Sequence, residues 1–118
     1  MGFINFILSM IIMLFFIYTW GKIKRKIAYN RFIKAIDLLN DKRYFDAIKH
    51  LENIGDELKY DSMYWFYLAT ALACAGSISD ANEAAEKSLK LDANNVHAKN
   101  ILKHIKKQYL PRESTNCN

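Results

Sequence analysis

Residues 62–95 decide the fold of this chain, and they read SMYWFYLATALACAGSISDANEAAEKSLKLDANN. Apolar residues recur along them at intervals of three and four positions, which is the spacing of one face of an α-helix. The stretch contains no proline and a single glycine, Gly76, which separates two segments of helical pattern. It therefore predicts two helices joined by a turn at residues 76–79.

The same pattern occurs once before, 34 residues closer to the N-terminus. Small or apolar residues repeat at that interval in three pairs, Ala35 and Ala69, Leu38 and Leu72, and Ala47 and Ala81. A period of this length is typical of arrays of helical hairpins, in which small residues let two helices approach closely. Further breaks fall at residues 40–43, 55–61 and 92–95, so residues 27–110 are predicted to form five short helices.

Residues 62–95 resemble one complete tetratricopeptide repeat (TPR). Apolar, small and turn residues at the family's spacing carry the resemblance, namely Trp65, Leu68, Ala69, Leu72, Gly76, Ala81, Ser88, Leu89, Leu91, Asp92, Asn94 and Asn95. Ala85 and Ala93 depart from the family pattern, which usually has a large aromatic residue and a proline at these sites. The resemblance implies a helical hairpin that takes part in binding other proteins.

Residues 28–61 resemble a second, more divergent TPR through Ala35, Leu38, Tyr44, Ala47, Ile48, Leu51 and Ile54. Arg31 and Lys34 stand where the family has Trp or Leu. Residues 96–110 place apolar side chains on one face of a helix and lysines largely elsewhere, which predicts a solubilising capping helix. Residues 111–118 are predicted to be a flexible tail.

An uncharged run, FINFILSMIIMLFFIYTW, occupies residues 3–20 and is interrupted only by Asn5, Ser9 and Thr19. As a helix it would be about 27 Å long, close to the ~30 Å hydrocarbon thickness of a bilayer. Residues 1–21 are therefore predicted to be a transmembrane anchor. A cleaved signal peptide is disfavoured because no Lys or Arg precedes the run and residues 18–21 make a poor cleavage site. The predicted fold class is all-α, with an N-terminal transmembrane helix, two TPR-like hairpins and a capping helix.

Aromatic and basic residues follow the uncharged run, as is typical of a membrane interface, and they are Tyr18, Trp20, Lys22, Lys24, Arg25 and Lys26. Cations beside a membrane helix are retained in the cytoplasm, so this basic juxtamembrane segment, residues 22–27, predicts a single-pass protein whose C-terminal domain faces the cytoplasm. An anionic-lipid sensor is the alternative interpretation of the same cluster. Residues 27–110 carry 12 Lys and Arg against 11 Asp and Glu, and this near-neutral balance disfavours nucleic-acid binding.

The resemblance also implies a concave surface built from the first helix of each hairpin, where the family usually binds peptides. Stacking by the repeat would bring together an apolar and aromatic set, Tyr29, Phe32, Ile33, Ile36, Met63, Phe66, Tyr67 and Thr70, with Asn100 and His104 beyond. Phe32 and Ile36 occupy the positions at which one subgroup carries the Lys and Asn of a carboxylate clamp, so the predicted ligand is instead an apolar or amphipathic segment of a protein or peptide. The alternative is that these side chains fill the core.

Catalytic and metal-binding patterns are weak in this sequence. His97 and His104 lie near one face of the capping helix, but no Cys, Asp or Glu accompanies them there, so no metal site is predicted. Cys74 and Cys117 differ so much in setting that unpaired thiols are predicted. No Gly-rich phosphate loop or nucleophile motif occurs, so neither an enzyme nor a cofactor is predicted.

These patterns together predict a membrane-anchored TPR adaptor that mediates protein–protein interaction at the cytoplasmic face of a membrane. The lipid bilayer and a protein partner are its expected contacts, and a homo-oligomer is compatible with the sequence. A structural or assembly subunit of a larger membrane complex is the alternative function.

Overall fold

The computed structural model describes residues 2–109, the last two by their backbone alone. This part of the chain folds into six helices and no strand: α1 (Gly2–Asn40), α2 (Tyr44–Asn53), α3 (Gly55–Leu58), α4 (Ser62–Cys74), α5 (Ile78–Leu91) and α6 (Val96–Tyr109). The all-α prediction is confirmed for these residues. The predicted tail, residues 111–118, and Cys117 within it lie outside the described residues.

Helix α1 is 39 residues long and runs without a break from the uncharged run into the folded domain. The same residues were predicted to form three segments, namely an anchor, a juxtamembrane segment and the first helix of a hairpin. No proline separates these segments, and Gly21 alone costs a helix only about 1 kcal/mol. Residues 2–18 are exposed throughout, and α1 is long and apolar enough to cross a membrane.

The C-terminal part of α1 packs against α2 and α3, while α4 packs against α5 and α6. Their core is built from buried residues of five helices, Ala28, Phe32, Ala35, Leu51, Leu58, Tyr64, Leu68, Ala69, Ala71, Ala84 and Ala85, together with Ile54. Alanines at the repeated positions 35, 47, 69 and 81 are each fully buried, with 0% of their surface exposed. Without a longer side chain at these positions, neighbouring helices can approach closely.

The turn predicted at Gly76 is present, since Gly76 adopts a φ of 91° between α4 and α5. The backbone N–H of Ser77 donates to the carbonyl of Leu72 over 2.9 Å, which satisfies one of the last carbonyls of α4. Helix α5 begins at Ile78, slightly before the predicted end of the turn. A short additional helix, α3, lies within the break predicted at residues 55–61, because Ile54 and Leu58 both turn into the core.

Polar side chains join the start of α4 to the end of α5 and the start of α6. The hydroxyl of Ser62 donates to the carbonyl of Ser88 over 2.9 Å, and the hydroxyl of Ser88 donates to the carbonyl of Ser62 over 2.8 Å. The side-chain amide of Asn95 donates to both hydroxyl oxygens, over 2.7 and 3.3 Å. Helices α4 and α5 are therefore antiparallel, and Asn95 ties α6 to both of them.

Tyr64 links α4 to the end of α2. Its ring is buried, and its hydroxyl donates to the carbonyl of Leu51 over 2.8 Å. Burial, with the nearby negative charges of Glu52 and Asp56, raises the pKa of Tyr64 to about 12. A Cβ added at Gly55 would lie 2.9 Å from the Tyr64 hydroxyl oxygen, so a larger residue there would force this hydroxyl to shift from its hydrogen bond with Leu51.

Candidate functional site

A continuous row of five rings connects α1, α4 and α6. The ring centroids of Tyr29 and Phe32 lie 6.1 Å apart, those of Phe32 and Tyr67 5.5 Å, those of Tyr67 and Phe66 5.0 Å, and those of Phe66 and His97 5.3 Å. These separations fall within the range in which aromatic rings attract one another. We call these five residues the aromatic row. The structure thus brings four of the predicted groove residues together.

Burial divides the aromatic row into a closed centre and open ends. Phe32 is only 4% exposed, and it also meets Tyr64 in the core at a centroid distance of 6.2 Å. Its assignment to an open groove is therefore corrected, because Ala28 and Ala35 on either side of it leave room for its ring to enter the core. Tyr29 is 53% exposed, whereas Phe66 and Tyr67 are half-buried.

The remaining predicted groove residues of α1 and α4 have different surroundings. Ile33 is exposed, and Ile36 packs in part against the core. Met63 is half-buried, with its sulfur 3.7 Å from the side-chain nitrogen of Asn95. The hydroxyl of Thr70 donates to the carbonyl of Phe66 within the same helix.

On α6 the side chain that joins the aromatic row is His97, which the sequence analysis considered only as a weak metal ligand. Asn100 and His104 are exposed and border a separate cavity of about 300 Å³, together with Lys103 and Lys107. Residues 97, 100 and 104 share one face of a helix by their spacing. His97 lies one helical turn before Asn100 on the same face of α6, so the spacing of Asn100 and His104 is the sequence signal that indicates it.

The predicted membrane-interface residues lie along α1 on two faces. Tyr18 and Trp20 are exposed, and the Lys22 ammonium lies 4.8 Å from the centroid of the Tyr18 ring. Lys22, Arg25 and Lys26 line a cavity of about 940 Å³ between α1 and the residues around α3 and the start of α4. Lys24 points to a different and smaller cavity, of about 170 Å³. The basic cluster is therefore not one uniform patch.

Cys74 contradicts one of the sequence-based predictions. Its sulfur takes part in a disulfide bond, so the prediction of an unpaired thiol at this position is wrong. The setting of a cysteine in the sequence does not reveal which sulfurs come within bonding distance in the folded chain. Among the described residues, no group of three or more His, Cys, Asp or Glu is placed to share a metal ion.

Comparison of the whole chain with known protein families and with characterised proteins finds no match. The resemblance to tetratricopeptide repeats therefore stands on the residues that carry it in this sequence.

Proposed function

We propose that this protein is a single-pass membrane adaptor whose TPR-like domain binds an apolar or amphipathic segment of another protein. The observation that carries this proposal is the aromatic row, in which the rings on either side of the buried Phe32 are exposed or half-buried and come from three helices. Large rings lose little conformational entropy on binding, and Tyr and His add polar groups that can hydrogen-bond to a peptide backbone. Such a surface suits a helix or extended segment with apolar anchors.

The anchor half of the proposal is supported by the unbroken course of α1. Its first part is apolar and exposed, and its last part packs in the core of the domain. A rigid helix between the two would hold the aromatic row at a constant height above the membrane. A partner captured there would be kept close to the bilayer surface.

The basic cluster and the disulfide at Cys74 favour opposite orientations of the domain relative to the membrane. The basic residues that follow the uncharged run favour a cytoplasmic domain. Disulfide bonds persist mainly in oxidising compartments, so the disulfide at Cys74 favours the other side. We propose the cytoplasmic orientation because the basic cluster acts directly on membrane insertion. A protease added outside intact cells should leave residues 27–118 uncut, and their removal would show that this orientation is wrong.

The binding proposal is tested with Phe66→Ala and Tyr67→Ser in the full-length protein. Each variant should lose partner capture in crosslinking while keeping its helical content and its membrane localisation. Phe45→Ala is the matched control, since Phe45 is 75% exposed on α2 and lies outside the aromatic row. Loss of helical structure in parallel with loss of capture would instead assign Phe66 and Tyr67 to the core.

A structural or assembly subunit is the second candidate, favoured by the number of exposed apolar side chains along α1. Two hairpins and a cap also fall below the three repeats that usually make a stable array. Purification of the full-length protein in mild detergent separates the two functions. An adaptor should remain monodisperse alone, whereas an obligate subunit should aggregate or co-purify with its complex at fixed stoichiometry.

A further inference from the structure

The largest cavity described above lies where α1 leaves the predicted membrane span. One wall is formed by Lys22, Arg25, Lys26 and Tyr29 of α1, and the opposite wall by residues of α3, the start of α4 and the end of α5. That opposite wall consists of Glu57, Leu58, Tyr60, Asp61, Ser62 and Leu91. The cavity measures about 940 Å³, which is large enough for a phospholipid headgroup with its glycerol.

The height of this cavity follows from the geometry of α1, given the proposed anchor on which this inference rests. At about 1.5 Å per residue, Lys22 to Lys26 lie roughly 3 to 9 Å beyond Trp20. The headgroup layer on each side of a bilayer is about 5 to 7 Å deep. Because α1 continues without a break to Asn40, the cations that line the cavity stay at the depth of the lipid phosphates.

The charges in the cavity favour an anion. In the described part of the chain, no carboxylate forms an ion pair with Lys22, Arg25 or Lys26. On the opposite wall, Asp61 already accepts the backbone N–H of Met63 at the start of α4 over 2.9 Å. Three cations against two carboxylates leave one net positive charge, which matches a ligand with one negative charge.

Apolar side chains complete the cavity. Tyr60 is 77% exposed and Leu91 is 41% exposed, although both belong to a folded domain with a core of its own. Burying such exposed apolar surface against the glycerol and the upper acyl chain of a lipid would be favourable. A free phosphate ion would use the cations and leave these two side chains uncovered.

We propose that this cavity binds the headgroup of one anionic glycerophospholipid. Lys22, Arg25 and Lys26 hold its phosphate, and Tyr60 and Leu91 contact its glycerol and upper acyl chain. A basic juxtamembrane segment can also attract anionic lipids diffusely, with each Lys or Arg contributing about equally. Lys24 separates the two cases, because it belongs to the same basic cluster but does not line this cavity.

The test compares Lys26→Gln with Lys24→Gln in the full-length protein in a neutral detergent. Native mass spectrometry would measure the retention of added phosphatidylglycerol, with phosphatidylcholine as the lipid control. We expect the wild type to retain one phosphatidylglycerol in preference to phosphatidylcholine. Lys26→Gln should weaken this retention at least about tenfold, as expected for loss of a charge-assisted hydrogen bond, and Lys24→Gln should leave it unchanged. Both lysines are exposed, so neither variant should disturb the fold, and circular dichroism would check this.

Three results would overturn the proposal. Equal weakening by Lys26→Gln and Lys24→Gln would show diffuse attraction rather than a site. Displacement of the lipid by free glycerol 3-phosphate at a similar concentration would assign the cavity to a soluble phosphate compound. Absence of a retained lipid in a wild-type protein that resists alkaline carbonate extraction would remove the site and leave the anchor standing. Release by carbonate would show, separately, that the anchor itself is wrong.

Discussion

Asn95 is the residue whose removal should most clearly report the packing of α4, α5 and α6 against one another. Its side chain is only 6% exposed and donates to the hydroxyl oxygens of Ser62 and Ser88. Its side-chain oxygen accepts the backbone N–H of Ala98 over 3.1 Å and so caps the first turn of α6. The Asn95→Ala variant loses these three hydrogen bonds at once, together with the weaker contact of its side-chain nitrogen with the sulfur of Met63 at 3.7 Å.

The expected cost of Asn95→Ala can be assembled from these contacts. Loss of the N-cap bond to Ala98 should cost about 1 kcal/mol. Loss of the hydrogen bond to Ser62 should cost about 1 kcal/mol, and loss of the longer bond to Ser88 should cost less. Ser62 and Ser88 keep their reciprocal bonds to each other's carbonyls, so their hydroxyl protons stay paired. We therefore expect a decrease of about 2 to 3 kcal/mol in the free energy of unfolding.

Urea unfolding of the full-length protein in mild detergent would measure this decrease. The chain has two tryptophans, so a Trp20→Phe background leaves Trp65 as the only fluorescent reporter of that type. Trp65 reports on the domain because its indole N–H donates to the carbonyl of Lys59 over 2.7 Å and its ring faces the Lys87 ammonium at 4.7 Å.

Asn94→Ala is the matched control for this measurement. Asn94 is exposed, and its hydrogen bond to Asp92 is made by its backbone N–H, which the substitution keeps. The control should change stability by less than about 0.5 kcal/mol. If the two variants unfolded at the same urea concentration with the same m-value, the assigned contacts of Asn95 would be refuted.

Three further predictions concern the core, the buried tyrosine and the anchor. Ala69→Leu should overpack the buried contact of α4 and lower the free energy of unfolding by about 1 to 3 kcal/mol. Ala93→Leu, at an exposed position, should leave that free energy unchanged. Equal urea midpoints of the two variants would contradict the register assigned to the repeat. The raised pKa of Tyr64 means that the unfolded chain, with a tyrosine pKa near 10, loses this proton first. The stability contributed by the neutral phenol should therefore be complete below pH 10 and be lost as the pH rises to 12, and Tyr64→Phe should lack this part of the alkaline loss in the same unfolding assay. Leu14→Arg should impair membrane insertion by on the order of 2.5 to 3.5 kcal/mol, which carbonate extraction beside a Leu14→Met control would detect.

Local patterns account for the parts of the structure that were predicted correctly. Helices follow from the spacing of apolar residues, and the turn at Gly76 follows from a residue that adopts positive φ without strain. The break at residues 40–43 is likewise present, because α1 ends at Asn40 and α2 begins at Tyr44. The length and apolar character of the N-terminal helix depend only on composition.

The candidate sites depended on contacts between residues distant in sequence. Tyr29 and Phe32 are both aromatic, and they lie three positions apart on one helix, yet the first is exposed and the second is buried. Their aromatic character alone does not distinguish them, and Phe32 is buried because its ring packs against Tyr64 and Tyr67 of α4. The same holds for the lining of the large cavity, which includes Lys26 and leaves out Lys24 according to the position of α3 and α4.

The sequence by itself therefore determined the helical class, the main breaks between helices and the apolar N-terminal run, since each of these depends on interactions between residues a few positions apart. Only the tertiary structure decided that Phe32 packs against Tyr64 and Tyr67 in the core, that the ring of His97 lies beside that of Phe66, and that Lys26 but not Lys24 lines the large cavity. Burial and cavity lining depend on which helix faces are covered by other helices. Which faces are covered depends on how all the side chains of the domain pack together in a close-packed interior.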